Sequence, residues 1–322
     1  MRIDDQCPKS TDMTGERILI FGGSGSLGKT VISRWIHNNH IVNVSRDEEK
    51  QWLLKNHVNH ANLSQHIGDI SNIDDVTSSI LTSKPTIICI FACLKHIDLC
   101  ERFPAKSMAN NTTGIINVDS VLMRYKTAVK TVLFVSTDKA CLPITTYGCC
   151  KALAEFFLQK VVSDQTKWIG VRYGNVLNSS GSIIPYLNAH KDSSAPYSLT
   201  HPDMSRFIMT LDHSVNLIEY AISHALHNEI IVPVLRSMSI SDLFSLFEEK
   251  YGNTRTVTGL RCKEKIHEDL ISESETKSAY SNGLYYHIGN NIRETDVLPF
   301  DSSKSLVTKD DLRAYLTLKG FL

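Results

Sequence analysis

The sequence has no long apolar run, and no stretch approaches the length that spans a bilayer, so no membrane crossing is expected. It also lacks net charge: 34 Lys and Arg face 34 Asp and Glu. A broad electrostatic attraction to nucleic acid or an anionic membrane is therefore not expected. There is no Cys-x-x-Cys, and of eight cysteines only Cys149 and Cys150 are adjacent. That usage argues against a disulfide framework or a zinc site and for the reduced thiols of a cytoplasmic protein. His96 and His267 have no metal-ligand spacing around them. No internal repeat or low-complexity tract is evident. Residues 1–14 are polar, with Asp4, Asp5 and Lys9, and have no apolar signal-peptide core. Residues 1–15 read as a disordered leader.

What is present is ordinary soluble composition, 42% hydrophobic and 21% charged over 322 residues. That length accommodates one large α/β domain or two lobes. Short apolar runs at 17–21, 41–44, 65–70, 86–92, 130–136 and 168–172 read as strands. Helical spacing fills 29–37, a charged segment from about Asp47, 109–125 and 147–162. Strands alternating with helices imply an α/β fold with a parallel sheet covered on both faces. After about Asn175 the pattern loosens. Gly181, Pro185, Pro196 and Pro202 punctuate loops, and helices resume at 212–226, 239–251 and 309–318. Residues 16–175 read as a dinucleotide-binding domain. Residues 176–322 read mainly as a smaller substrate-binding lobe with crossings back to the main sheet.

Gly22, Gly25 and Gly28 have GxxGxxG spacing between the first strand and the first helix. Glycine permits the tight turn there, and a helix N-terminus offers amides to a pyrophosphate. No GK[ST] closes the turn, which excludes a nucleotidase-type phosphate loop. An NAD site usually places an acid at the end of the second strand for the ribose hydroxyls. Ser45-Arg46 stands there, and arginine can clamp the extra phosphate of NADP. A solvated arginine at a helix start is the other reading, and Asp47 keeps NAD open. Asp69 suits an adenine amine or a helix cap equally.

Tyr147 and Lys151 lie four residues apart, so they share a helix face. An ammonium beside the phenol would lower the tyrosine pKa and make a base for an alcohol proton. Asp138-Lys139 adds a second acid and base at the carboxyl end of an apolar strand, where ligands of open α/β sheets bind. The plain alternatives are a surface ion pair for Asp138-Lys139 and a half-buried tyrosine with a snorkelling lysine for Tyr147 and Lys151. The order of glycine turn, Asp-Lys and Tyr-Lys favours catalysis.

From Gly22 to about Ser182 the sequence resembles the extended short-chain dehydrogenase/reductase family. The ordered segments FACLKH (91–96), STDKA (136–140), YG (147–148), RYGNV (172–176), MSRF (204–207) and RCKEKIHE (261–268) resemble the inverting, 5-epimerising UDP-N-acetylglucosamine 4,6-dehydratases. The resemblance implies a Rossmann-like doubly wound parallel sheet with a smaller C-terminal lobe. It implies tightly bound NADP, regenerated each cycle, along Gly22, Ser24, Gly25, Ser26, Leu27 and Gly28, then Ser45, Arg46, Asp69 and Ile70. Ala92, Lys95, Val135, Ser136, Tyr147, Lys151, Tyr173, Asn175 and Val176 complete that implied site. The implied substrate, UDP-GlcNAc, meets Lys95, Asn175, Thr200, Met204, Arg206, Arg261 and Glu264.

The chemistry implied by the resemblance has Tyr147, tuned by Lys151, deprotonating the sugar C4 hydroxyl while hydride passes to NADP+. Lys139 then removes the C5 proton, and Asp138 protonates the departing C6 hydroxyl. Hydride returns to C6, and C5 is reprotonated from the opposite face. Thr137 holds the C4 oxygen. A retaining relative has methionine where Tyr147 stands. The chain departs from the pattern at Cys149-Cys150, at Ser180 in place of a common arginine, and at Cys262-Lys263 in place of a Pro-Gly turn. Relatives form dimers or hexamers, and 109–125 and 147–162 are candidate interface helices. A UDP-sugar 4-epimerase, a UDP-glucose 4,6-dehydratase and a non-catalytic dinucleotide sensor are the competing readings.

Overall fold

The structure, a computed structural model, describes residues 3–9, 13–179, 181–193, 195–292 and 296–322. Strand β1 (Arg17–Phe21) shows how the sheet is built, since Ile18, Leu19, Ile20 and Phe21 are each at most 1% exposed. Successive side chains point to opposite faces, so such a run needs cover on both. Each fully buried side chain of this kind contributes about 1.5–3 kcal/mol. The first half of the chain continues as α1 (Ser26–Trp35), β2 (His40–Ser45), α2 (Glu48–Val58), β3 (Leu63–Ile67), α3 (Ile73–Ser83) and β4 (Ile87–Ile90). Next come α4 (Ile97–Arg102), α5 (Pro104–Met108), a π-helical turn at Ala109–Thr113, α6 (Gly114–Tyr125), β5 (Thr131–Val135), α7 (Thr146–Lys160) and β6 (Lys167–Val171).

The main sheet runs β3-β2-β1-β4-β5-β6, all parallel, and Glu229–Pro233 extends it parallel to β6. Tyr285–Ile288 and Ala279–Ser281 close that edge antiparallel. The order 3-2-1-4-5-6 is that of the doubly wound Rossmann fold, reversing between β1 and β4. A second apolar cluster gathers Ile184, Leu187, Tyr197, Leu199, Met204, Phe244, Phe247, Leu312 and Leu316. It lies under the helices Ile183–Ala189, Ile240–Tyr251 and Lys309–Leu318.

Several expectations need correction. Strand β3 stops at Ile67 rather than running to residue 70, because Asp69 turns the chain: its Oδ1 accepts from Ser71 N at 2.9 Å. Helix α3 was not anticipated, although Val76 and Ile80 bury its inner face and Asn72 caps it. Residues 109–125 are not one regular helix. The π turn at their start buries Asn110, Asn111 and Thr112. The leader is packed rather than loose over its described residues. Gln6 donates to Ile208 O at 2.6 Å and accepts from Arg236 N at 2.9 Å. Cys7 O takes Asn216 Nδ2 at 2.7 Å, and Ile3 joins the second cluster.

Candidate active site

The carboxyl ends of β1 to β6 carry the expected cofactor residues in sequence order. Gly22 to Gly28 follow β1, Ser45 and Arg46 end β2, and Asp69 and Ile70 follow β3. Ala92 and Lys95 follow β4, Val135 and Ser136 end β5, and Tyr173 follows β6. Gly22 has φ 90°, and an added Cβ would lie 2.5 Å from Ala92 N. Gly28 packs so tightly on Gly23 that a Cβ would meet Gly23 Cα at 2.4 Å. Gly25 differs. A Cβ there meets nothing nearer than Gly22 O at 3.5 Å, so the fold itself does not require glycine. Gly25 is the N-cap of α1 and brings no side-chain cap. Open space before an uncapped helix start fits a pyrophosphate. Ser136 Oγ, just after β5, is buried without a partner among the described residues, which fits a polar ligand there.

Ser24 Oγ donates to Ser45 Oγ at 3.0 Å, joining the glycine turn to the end of β2. Arg46 pairs with Asp69 at 3.3 Å, with side chains 54% and 29% exposed. Burial works to raise the Asp69 carboxyl. The bonds from Ser71 and the Arg46 charge outweigh it and hold the pKa below the usual value. The π turn positions the loop after β4. Asn111 Nδ2 donates to Leu94 O and its Oδ1 accepts from Leu94 N, both at 3.0 Å. Thr112 Oγ1 reaches Cys150 O in α7 at 2.8 Å. Lys95 itself is exposed.

Helix α7 begins at Thr146, capped by Thr145 Oγ1 on Gly148 N at 3.0 Å. Tyr147 and Lys151 are both buried on it. Their spacing predicts an ammonium beside the phenol, but the structure shows otherwise. Lys151 Nζ donates to Val135 O at 2.8 Å and sits 4.3 Å above the Phe134 ring. Burial pushes the Lys151 ammonium pKa down. Burial, then Cys93, Asp138 and Tyr173, push the Tyr147 phenol well up, against a lowering hydrogen bond with Thr137. The expected depression of the tyrosine is therefore absent.

Thr137, Asp138 and Lys139 form a tight group after β5. Thr137 Oγ1 donates to Asp138 Oδ1 at 2.9 Å. Asp138 is 1% exposed, and its Oδ2 has no partner among the described residues. Lys139 Nζ lies 3.1 Å from Asp138 Oδ1 and 3.2 Å from Glu268 Oε1. Arg206 Nε stands 3.8 Å from the same Glu268 oxygen. Burial lowers the Lys139 pKa and Arg206 lowers it further, yet the carboxylates of Asp138 and Glu268 win and raise it. An ion pair at 4 Å is worth roughly 4 kcal/mol at an effective dielectric near 20, and Lys139 has two.

Lys139 and Glu268 line a cavity of about 620 Å³. That volume suits a small-molecule ligand. Six of the expected substrate residues line it as well: Asn175, Thr200, Met204, Arg206, Arg261 and Glu264. Lys95, Tyr147 and Lys151 are not among its lining residues. Three lining residues hold buried polar atoms without a partner among the described residues: Asn175 Oδ1, Ser182 Oγ and Glu268 Oε2. Such atoms are costly unless something bonds them, so the wall suits a polar ligand. Arg206 is partly spent on the backbone. It donates to Ser205 O at 2.7 Å, Ile266 O at 2.9 Å and Lys265 O at 3.0 Å. Glu264 Oε2 accepts from Arg261 N at 3.1 Å and so closes its own turn. Lys263, where the resembled pattern has glycine, adopts a left-handed φ of 61° and pairs with Glu101 at 2.8 Å. Ser180 lies outside the described residues.

No motif or spacing in the sequence marks a role for Glu268, Ser182 or Asn111. Only the quoted 261–268 segment could have drawn attention to Glu268.

Fold and site together define a Rossmann-type doubly wound protein with a glycine turn before its first helix and a polar-walled cavity lined by Lys139 and Glu268. The chain belongs to the polysaccharide biosynthesis protein family, whose model matches residues 18–290. A relative from Rickettsia typhi, named UDP-glucose 4-epimerase, is 34% identical over 84% of this chain and 82% of its own. The solved structure of Pen from Bacillus thuringiensis superposes with a TM-score of 0.89 at 27% identity, over 97% of this chain and 100% of that one. The Bordetella bronchiseptica enzyme WbmG, solved with NAD and UDP, shares the fold with a TM-score of 0.64 at 21% identity, over 78% of this chain and 84% of its own.

Proposed function

We propose that the chain is an NADP-dependent UDP-N-acetylglucosamine 4,6-dehydratase that inverts C5, giving a UDP-2-acetamido-2,6-dideoxy-L-arabino-4-hexulose. The observation that carries this reading is Lys139 held between Asp138 and Glu268 on the cavity wall. Moving one proton from Lys139 Nζ to Asp138 Oδ1, across 3.1 Å, gives an amine and a carboxylic acid. Those are the base for C5 and the acid for the C6 hydroxyl. Once the amine has taken the C5 proton and the acid has given its proton to the departing oxygen, the ion pair is restored.

Tyr147 is the group for the C4 hydroxyl proton, with Thr137 bonded beside it. When bound, NADP supplies the hydride acceptor at C4 and the hydride donor at C6. The Gly22–Gly28 turn, Ser45 and Arg46 would hold it, and Arg46 in place of an acid supports NADP over NAD. UDP recognition falls to Arg261 and Glu264, and the sugar to Asn175 and Thr200. Exposed Met123, Leu153 and Phe156 on α6 and α7 support a homo-oligomer. No helix among the described residues is long and apolar enough to cross a membrane.

A UDP-sugar 4-epimerase is the second reading, favoured by the name of the Rickettsia typhi relative. Epimerisation requires Tyr147 and Lys151 but leaves Asp138, Lys139 and Glu268 without work. Incubating the purified protein with a panel of UDP-sugars and weighing the products separates the two. A product lighter by one water supports the dehydratase, and an unchanged mass with inverted C4 supports the epimerase.

A further inference from the structure

Glu268 approaches Lys139 from a different part of the chain, just before the strand Asp269–Ile271. It is 4% exposed, and its backbone is fixed at both ends. Glu268 N donates to Ser302 Oγ at 3.0 Å, and Ser302 N donates to Glu268 O at 2.9 Å. Ser302 Oγ is bonded in turn to Ser205 Oγ at 2.6 Å, and Ser205 Oγ to His267 Nδ1 at 2.7 Å. Arg206 grips the carbonyls of Lys265 and Ile266 immediately upstream. This network places one carboxylate oxygen on Lys139 and leaves the other buried without a partner among the described residues. A carboxylate so costly to bury needs a compensating role.

Resting on the dehydratase reading, we propose that Glu268 is a positioning residue for Lys139, aiming its amine into the cavity and setting when it can accept a proton. The charged groups facing Lys139 are Asp138 from its own turn, Glu268, and Arg206 from the strand Ser205–Met209. Two anions and two cations make a neutral quartet. Removing the Glu268 charge leaves Lys139 facing one carboxylate and Arg206, which favours its neutral amine. Shortening the side chain by one carbon keeps the charge and loosens the aim.

The test is the protonation midpoint of the Lys139 amine, read by trace labelling with acetic anhydride across pH on the NADP-loaded protein. This readout needs no turnover, so it stands even if the protein proves to be an epimerase. In the wild type the midpoint is expected above the ordinary lysine value of 10.5. In Glu268→Gln it should fall, because the carboxylate 3.2 Å from the amine is gone. In Glu268→Asp it should stay near the wild-type value while kcat for dehydration drops and KM holds. An unmoved midpoint in folded Glu268→Gln overturns the proposal. Should that variant not fold, a Glu268→Asp protein whose kcat for dehydration matches the wild type overturns it equally. Failure of the dehydratase reading would appear separately, as absent water loss in the wild type.

Discussion

Arg172 and Glu155 form a buried two-pronged ion pair, Nε to Oε1 at 3.0 Å and Nη2 to Oε2 at 2.5 Å. Arg172 also takes Glu275 Oε1 at 2.6 Å and Leu270 O at 2.9 Å. One guanidinium thus ties the end of the main sheet to α7, which carries Tyr147 and Lys151, and to the segment following Glu268. Arg172 and Glu155 are 2% exposed each, so water cannot replace a lost partner. Arg172→Ala is expected to cost about 3–5 kcal/mol, because it strands two carboxylates. Urea unfolding of the two proteins at neutral pH measures this.

The same cluster sets an acid limit. Burial would raise the Glu275 carboxyl, but the Arg172 charge and the bonds from Arg172 and Ser272 hold it near 2, against an ordinary 4.5. A depressed value stabilises the fold above the ordinary pKa. The contribution is complete above about pH 4.5 and is lost as pH falls toward 2. It amounts to about 3 kcal/mol at 1.36 kcal/mol per unit. Urea midpoints between pH 5 and pH 3 should fall in the wild type and fall less in Glu275→Gln.

Gly25 and Gly28 should separate when each becomes alanine. Gly25→Ala has room in the fold, so with cofactor removed from both proteins it should melt at the wild-type midpoint, yet it should fail to retain cofactor, since the new methyl occupies the approach to α1. Gly28→Ala drives a methyl to within 2.4 Å of Gly23 Cα, so it should lower the thermal midpoint itself. Cofactor absorbance of the purified protein and a melting curve read both outcomes. Equal melting losses would mean that Gly25 serves only the turn.

Much of the fold is legible in local sequence. RILIF ends where β1 ends, and the last helix spans Lys309–Leu318 as its pattern indicates. These signals are local: an apolar run against glycine, and a polar cap before a helical period. The strand Glu229–Pro233 was missed because five residues of EIIVP carry no period, and only its neighbours in the sheet make it a strand. The site divides in the same way. Asp138, Lys139, Tyr147 and Lys151 stand out as motifs. Their contacts do not, and Lys151 turns to Val135 O instead of to the phenol. Glu268 meets Lys139 only because a distant segment of the chain returns there, a pairing that no local spacing announces.

Proton NMR of the reaction with UDP-N-acetylglucosamine in deuterium oxide tests the account most directly. The wild type should give a C6 methyl signal with deuterium at C5, and Lys139→Ala should give neither while retaining its cofactor. A product that keeps its C6 hydroxyl and C5 hydrogen, with only C4 inverted, would contradict the account and leave the protein an epimerase.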